Sequence, residues 1–284
     1  SSDLIPSRNL DSFFADEDTL RYLLGREVLE MEKFPESRIA VLEGVMGFYD
    51  GLGGVSERSS AWEVADLTDT PVILLVDMKG RSLSALASIK GFLDYKEKSH
   101  VTGIVFNRLS PMLYPGLKER AERELGIRVF GYVPELKDLT LESRHLGLVM
   151  PEEILGIRER LDLIKEKVRV GINLDGIIEE AGRAAEIEVK LPEAAGWSLS
   201  DRIPKKTVVA VAKDEAFCFY YEDNLDLLKK LGAELQYFSP IHDRNLPEGT
   251  CAVYLGGGYP ELHAKALSEN ISMRNAIQIG RAHV

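Results

Sequence analysis

Cysteine is scarce: Cys218 and Cys251 are the only two in 284 residues, so no disulfide framework holds this fold together. No apolar stretch reaches the roughly 18 residues that a membrane-spanning helix needs. The N-terminus, SSDLIPSRNLDSFF, lacks the basic-then-apolar order of a secretory leader. Positive charge is short too, with 35 Lys and Arg against 46 Asp and Glu and a formal net charge of -11. A broad basic face for nucleic acid is therefore excluded, while an anionic small molecule in a local pocket is not. Finally, no G-x-x-x-x-G-K-[ST] loop occurs anywhere in the chain. That loop grips phosphates through backbone N–H groups and a lysine, so any nucleotide hypothesis must account for its absence.

What is present reads as an ordinary globular protein. The chain is 45% hydrophobic and 29% charged, enough to build buried cores without a membrane partner, and the cytoplasm is its expected location. Short apolar runs at Ile39–Glu43, Pro71–Asp77, Val101–Asn107 and Val129–Val133 are predicted strands. Amphipathic stretches near Ser60–Leu67, Ser82–Lys96 and Pro115–Leu125 are predicted helices between them. Near-continuous apolar strands alternating with helices predict a doubly wound parallel α/β sheet. From Pro151 to about Gly196 the pattern becomes two amphipathic helices and then a linker. A second alternating series starts at Thr207–Ala212, with a helix at Asn224–Leu231 and strands at Glu234–Phe238 and Ala252–Leu255. The expected organisation is a first domain over 1–150, a helical segment and linker over 151–205, and a second domain over 206–284. A doubly wound domain of fewer than 80 residues is marginal alone, so the second is expected to be only the first part of a domain.

Candidate functional residues gather at the ends of these strands, where open parallel sheets bind ligands. Glu43 closes the first run and is followed by GVMGFYDG, whose glycines admit close approach and whose Asp50 can face a substrate or metal. The plainer reading is a surface acid and an Asp-Gly turn. Asn107 ends the third run; its amide can read an adenine edge, or it can cap the turn before Pro111. Pro134, in GYVP at the next strand end, is expected with Asn107 at the nucleotide. Arg144 could hold an anion, with His145 beside it as a hydrogen-bonding rather than a catalytic group. Gly256-Gly257-Gly258-Tyr259-Pro260-Glu261 follows a short strand, and its exposed N–H groups could form an oxyanion hole. A tight turn into a helix near Pro260 is the alternative. Cys218 lies among aromatics and Cys251 opens a run read as a buried strand; neither has the Gly-flanked turn that exposes a nucleophile, so both read as structural.

Seven segments then stand in an order that is highly specific: SRNLDSFF, EGVMGFYDG, PVILLVDMKGRSLSALASIKGF, GIVFNRL, ESRHLGLV, DEAFCFYYEDNLDLLKKLGAEL and YLGGGYPEL. Together they resemble the cobyrinic acid a,c-diamide synthase family, glutamine-dependent amidase-ligases, to about Ile277. The resemblance implies a P-loop NTPase-like, dethiobiotin synthetase-like first domain and the first part of a class I glutamine amidotransferase domain. It implies ATP- and Mg2+-dependent phosphorylation of the a and c acetate carboxylates of cobyrinic acid. Ammonia from glutamine then displaces phosphate from each acyl phosphate.

By the same resemblance Glu43 is the acid near magnesium and Asp50 the acid near substrate. Asn107 is the adenine residue, and Gly257 and Gly258 help form the oxyanion hole. The family's phosphate loop lies upstream of its SRNLDSFF-like segment, and its Cys-Gly-Gly nucleophile and triad His lie downstream of GGGYPEL. A chain truncated at both ends, inactive by itself, is therefore expected. Residues 279–284 (IGRAHV) resemble a translated sequencing adapter. Corrinoid and glutamine are the expected partners, with no nucleic acid, no membrane, and a homodimer left open. Three other readings compete: a sister ligase acting on Ni-sirohydrochlorin or hydrogenobyrinic acid, the cobyric acid synthases, and a non-catalytic P-loop-like binding protein.

Overall fold

The structure is a computed structural model, and it describes residues 8–30, 39–136, 156–190 and 207–281. The chain divides into two compact units, Leu10–Lys190 and Ser1–Asn9 with Leu191–Val284. Arg144, His145 and the linker residues 191–206 lie outside the described residues.

In the N-terminal unit, helix α1 (Glu17–Glu30) is followed by an irregular stretch and then by α2 (Ala61–Leu67). Ser60 caps α2: its hydroxyl accepts the Glu63 N–H, and the Glu63 carboxylate accepts the Ser59 N–H and the Ser12 hydroxyl. Strands β1 (Val72–Asp77), β2 (Val101–Asn107) and β3 (Arg128–Val133) form a parallel sheet in the order β1-β2-β3. Helices α3 (Ser84–Asp94) and α4 (Tyr114–Leu125) make the right-of-way between them. The core is Ile89, Ile104, Phe106, Leu109 and Ala121 with Val76, Leu86, Leu117 and Val129 around them.

One expected strand is absent. Residues 39–43 form no ladder, and Ile39 and Val41 are exposed. An apolar run becomes a strand only when a neighbour takes its N–H and C=O groups, and among the described residues β1 pairs with β2 alone. The two helices expected after Pro151 are α5 (Ile157–Gly171) and α6 (Leu174–Ala181). They close on β3: Gly131 bridges Ile172, Asn173 N–H donates to the Phe130 carbonyl at 2.7 Å, and Arg128 reaches Glu179 at 3.3 Å.

The C-terminal unit is built on β4 (Val208–Ala212), flanked by β6 (Glu234–Phe238) and β7 (Thr250–Tyr254) in a parallel sheet ordered β6-β4-β7. All five residues of β4 are buried, and alternation sends them to opposite faces. Val209 and Val211 meet Leu225 of α7 (Glu222–Lys230); Ala210 and Ala212 meet Met273 of α9 (Ile271–Arg281). The sheet thus has a helix on each face. The strand read as buried around Cys251 is instead exposed along β7, with Cys251 itself exposed, because β7 is an edge of the three-stranded sheet. A two-stranded antiparallel ribbon, β5 (Phe217–Phe219) with β8 (Gly257–Gly258), and the short α8 (Ala264–Glu269) complete the unit. Arg8 joins it through ion pairs to Asp226 (2.8 Å) and Asp223 (3.6 Å) of α7. Among the described residues no helix is long and apolar enough to cross a membrane.

Candidate functional site

In the N-terminal unit the parallel register puts Asp77, Asn107 and Val133 side by side at the carboxyl edge of the sheet. The Asn107 carbonyl accepts the Met78 N–H at 2.8 Å, while its side-chain amide has no hydrogen-bond partner among the described residues. The chain turns at once: Arg108 has φ 58°, a left-handed conformation uncommon for a non-glycine residue. Its guanidinium pairs through two N–H groups with Asp77, the Nε–Oδ1 distance being 2.7 Å. That hydrogen bond holds the Asp77 carboxyl below the usual carboxylate range, assisted by the Lys79 N–H and the charge of Arg81.

Beside this edge is a cavity of about 580 Å³, lined by Met78, Arg81, Arg108, Leu109, Pro111 and Pro134 among others. The depression is open to solvent, its lining is mixed polar and apolar, and its two guanidinium groups are engaged, Arg108 with Asp77 and Arg81 with the Ser88 hydroxyl. Lys79 and Glu135 close an ion pair at 3.2 Å at the same rim. Thus Pro134 lines the cavity, and Asn107 stands at the strand end from which the cavity opens. Neither Glu43 nor Asp50 is among the lining residues; both are exposed. Their loop is pinned by its aromatic pair instead. Phe48 is buried, and the Tyr49 hydroxyl donates to the Phe92 carbonyl at 2.7 Å. Asp50 folds back on Gly47, its N–H donating to the Gly47 carbonyl at 2.9 Å. Among the described residues no three His, Cys, Asp or Glu side chains converge as a metal cage. Magnesium commonly takes only one or two protein carboxylates alongside substrate phosphates, so an exposed Glu43 has the right chemistry for such a role.

The C-terminal unit has a second concentration of groups. The chain leaves β4 toward β6 on one side and returns to β7 on the other, so the carboxyl end of β4 is a topological switch point. The turn after β4 and the triple-glycine loop after β7 meet there as the β5–β8 ribbon, Phe217 opposite Gly258 and Phe219 opposite Gly257. Two of the three glycines, Gly256 and Gly258, are sterically required. A Cβ on Gly258, whose φ is +153°, would stand 2.1 Å from the Ala216 carbonyl oxygen, and one on Gly256 would stand 2.4 Å from the Tyr220 ring. The loop therefore presses backbone against backbone. Pro260 leads not directly into a helix but into a turn, with α8 beginning at Ala264.

Two groups of the DEAFCFYYEDNL segment, to which the motif itself gives no role, organise this corner. Asp214 accepts four hydrogen bonds: from the N–H groups of Ala216 (2.9 Å), Phe217 (3.1 Å) and Ile241 (2.9 Å) and from the Ser239 hydroxyl (2.8 Å). Tyr220 donates to the Ala212 carbonyl and accepts the Gly256 N–H at 3.0 Å. The local signal for Asp214 is an acid two residues after a buried strand, which can open an Asx turn; Tyr220 has none. Cys218 lies within β5, half-buried, so neither cysteine is at the tip of a strand-to-helix turn.

Glu215 and His242 face each other across the same corner, Nε2 lying 3.0 Å from both carboxylate oxygens. The hydrogen bond that His242 donates to Glu215 raises the His242 pKa above its ordinary 6.5. Glu215 sits below its ordinary 4.5, through its own backbone N–H first and His242 second. The charged pair is complete between those values: the Glu215 contribution is lost as pH falls through its depressed pKa, the His242 contribution as pH rises through its raised one. In an NMR titration the His242 imidazole should titrate above 6.5 and return toward 6.5 in Glu215→Gln. An unchanged midpoint in that variant would show that the pair does not form.

Residues 208–282 match the CobB/CobQ-like glutamine amidotransferase domain. Over 96% of its length the chain is 38% identical to the cobyrinate a,c-diamide synthase of Listeria innocua, covering 58% of that protein. It is 38% identical to the enzyme of that name from Caldanaerobacter subterraneus, covering 57% of it. From Methanocaldococcus jannaschii the figures are 36% identity and 59% coverage. The chain thus spans somewhat under 60% of the length of these curated relatives. No solved structure matches it significantly.

Proposed function

Because the chain is a relative of the cobyrinate a,c-diamide synthases along nearly all of its length, we propose that its protein is a glutamine-dependent ligase that amidates the a and c acetate carboxylates of a corrinoid. The observation that carries this reading is the pairing of two α/β units in one chain. One has a cavity at the carboxyl edge of its parallel sheet, and the other carries the amidotransferase match over 208–282. A ligase of this kind needs both, since ammonia made at one place must meet an activated carboxylate at another.

In this reading the N-terminal unit is a P-loop NTPase-like domain, and its cavity takes the adenine of ATP, with Asn107 on the base edge and Pro134 against its face. ATP supplies the phosphoryl group that turns a carboxylate oxygen into a leaving group, with Mg2+ to offset charge. Glu43 would hold the metal, and Asp50 would stand near the substrate carboxylate. Gly257 and Gly258 would line the oxyanion hole for glutamine.

The intact protein, given cobyrinic acid, glutamine and Mg-ATP, should convert two acids to amides, as seen by mass spectrometry. Asn107→Ala should raise the KM for ATP about 10-fold with little change in the KM for glutamine, the loss expected when a site's polar match to a base is removed. Amide formation that does not depend on ATP, or an unaltered KM in that variant, would refute the reading.

A further inference from the structure

We propose that Tyr220 is the positioning residue of the glycine loop: its hydroxyl fixes Gly256 to the end of β4 and thereby sets where the backbone of Gly257 and Gly258 faces a substrate amide. The inference rests on the glutaminase reading of the C-terminal unit and adds to it a residue that neither the motifs nor the comparisons assign.

The geometry is a relay of two hydrogen bonds through one oxygen. The phenol has a single hydrogen, which goes to the carbonyl of Ala212, the last residue of β4. Its oxygen then accepts the N–H of Gly256 at 3.0 Å. One side chain therefore joins the end of β4 to the loop after β7 across the switch point, Tyr220 and Gly256 being 36 positions apart. The ring reaches this place only because position 256 has no side chain, a Cβ there falling 2.4 Å from it. On its other side the ring meets Tyr254 edge to face, with centroids 5.2 Å apart and planes at 89°. Burial raises the Tyr220 pKa, so the phenol stays a neutral donor across the physiological range.

This arrangement consumes the first of the three glycine N–H groups, so a developing oxyanion must be met by the backbone that follows. The same loop is gripped at its far end: the Tyr259 N–H donates to the Ala216 carbonyl at 3.0 Å, and Gly258 and Gly257 pair with Phe217 and Phe219. With both ends fixed, the intervening peptide planes have little freedom. That pre-orientation is what an oxyanion donor requires, since it must not reorganise when charge develops. A loose Gly256 would let the planes rotate, and misplacement by about 1 Å can cost on the order of 100-fold in rate.

Tyr220→Phe keeps the ring and removes only the hydroxyl. Amide hydrogen exchange on the intact protein should then quicken at Gly256 by about 10-fold or more, through loss of that bond. Glutamine hydrolysis should lose about 10- to 100-fold in kcat with KM for glutamine within about 2-fold. Amidation supported by added ammonia should be unchanged. Leu228→Ala, which weakens packing against the same strand, should lower the melting temperature without that kcat loss. Unchanged exchange at Gly256, or a kcat equal to that of the parent, overturns the proposal. So does an equal fall in ammonia-dependent amidation. If the parent hydrolyses no glutamine, the glutaminase reading falls, and the positioning role falls with it even where the exchange result stands.

Discussion

Replacing Gly258 by alanine should be among the most damaging single-methyl changes this chain can suffer. The backbone at 258 has φ +153°, a conformation that L side chains rarely adopt, and the added carbon would lie 2.1 Å from the Ala216 carbonyl oxygen. The first effect costs about 1–3 kcal/mol and the second about the same, giving roughly 2–6 kcal/mol in all. Neither can relax cheaply. The carbonyl that blocks the methyl accepts the Tyr259 N–H, and its neighbour Phe217 is paired with Gly258 itself. Differential scanning calorimetry should therefore show a melting temperature several degrees lower, and glutamine hydrolysis should be lost. Gly232→Ala separates the two costs: φ there is +94°, but no atom stands within 4 Å of the added carbon. It should pay for the dihedral alone and melt closer to the parent. Equal melting temperatures for the two variants would mean that the close approach of loop to turn does not exist in solution.

That contrast marks how much was legible in the sequence. The three strands of the N-terminal unit and all three of the C-terminal parallel sheet fall within two residues of the runs that predict them. The apolar content of a strand buried on both faces is written locally. The placing of Asn107 and Pro134 at one carboxyl edge follows from the same pattern, because parallel strands in register end together. Ile39–Glu43 shows the limit. Its residues have strand composition, but pairing is a property of a neighbour, and the described neighbours offer none. The exposure of Cys251 failed for a related reason, since an edge strand and a central one can have the same apolar spelling. The triple glycine stands out in the sequence for its exposed N–H groups, but the need for glycine at 256 and 258 does not, because the atoms they make room for lie about 40 positions upstream, in Tyr220 and Ala216. The roles of Tyr220 and Asp214 are hidden for the same reason: the partners that tie them to other loops, Gly256 and Ser239, are 36 and 25 residues distant.

Asp214→Ala should be the other severe change, and the reason is the number of donors it would orphan. Its two carboxylate oxygens gather three N–H groups and one hydroxyl from the turn after β4 and the loop after β6. Hydrogen bonds to a charged acceptor contribute about 1.5–3 kcal/mol each. The four act as one unit and water can replace some, so the loss should be roughly 3–6 kcal/mol rather than their sum. Asp214→Asn tests the bookkeeping, because an amide keeps one accepting oxygen. If that oxygen stays on Ala216 and Phe217, the turn survives while the NH2 faces the donors of Ser239 and Ile241, so stability should recover only in part. Ser239→Ala removes one donor to Asp214 together with the acceptor of the His242 N–H, and should cost about 1–3 kcal/mol.

The functional consequence follows the geometry in one direction. Ala216 sits directly on the turn that Asp214 holds, and its carbonyl is the anchor of Tyr259 and the wall against Gly258. A slackened turn must therefore release the glycine loop from the end opposite to Tyr220. In Asp214→Asn, glutamine-dependent amidation should fall by more than ammonia-dependent amidation, and Gly258 should exchange its amide hydrogen faster. A variant that lost stability but kept its glutamine rate would separate the turn from the loop, and would place the control of the loop in Tyr220 alone.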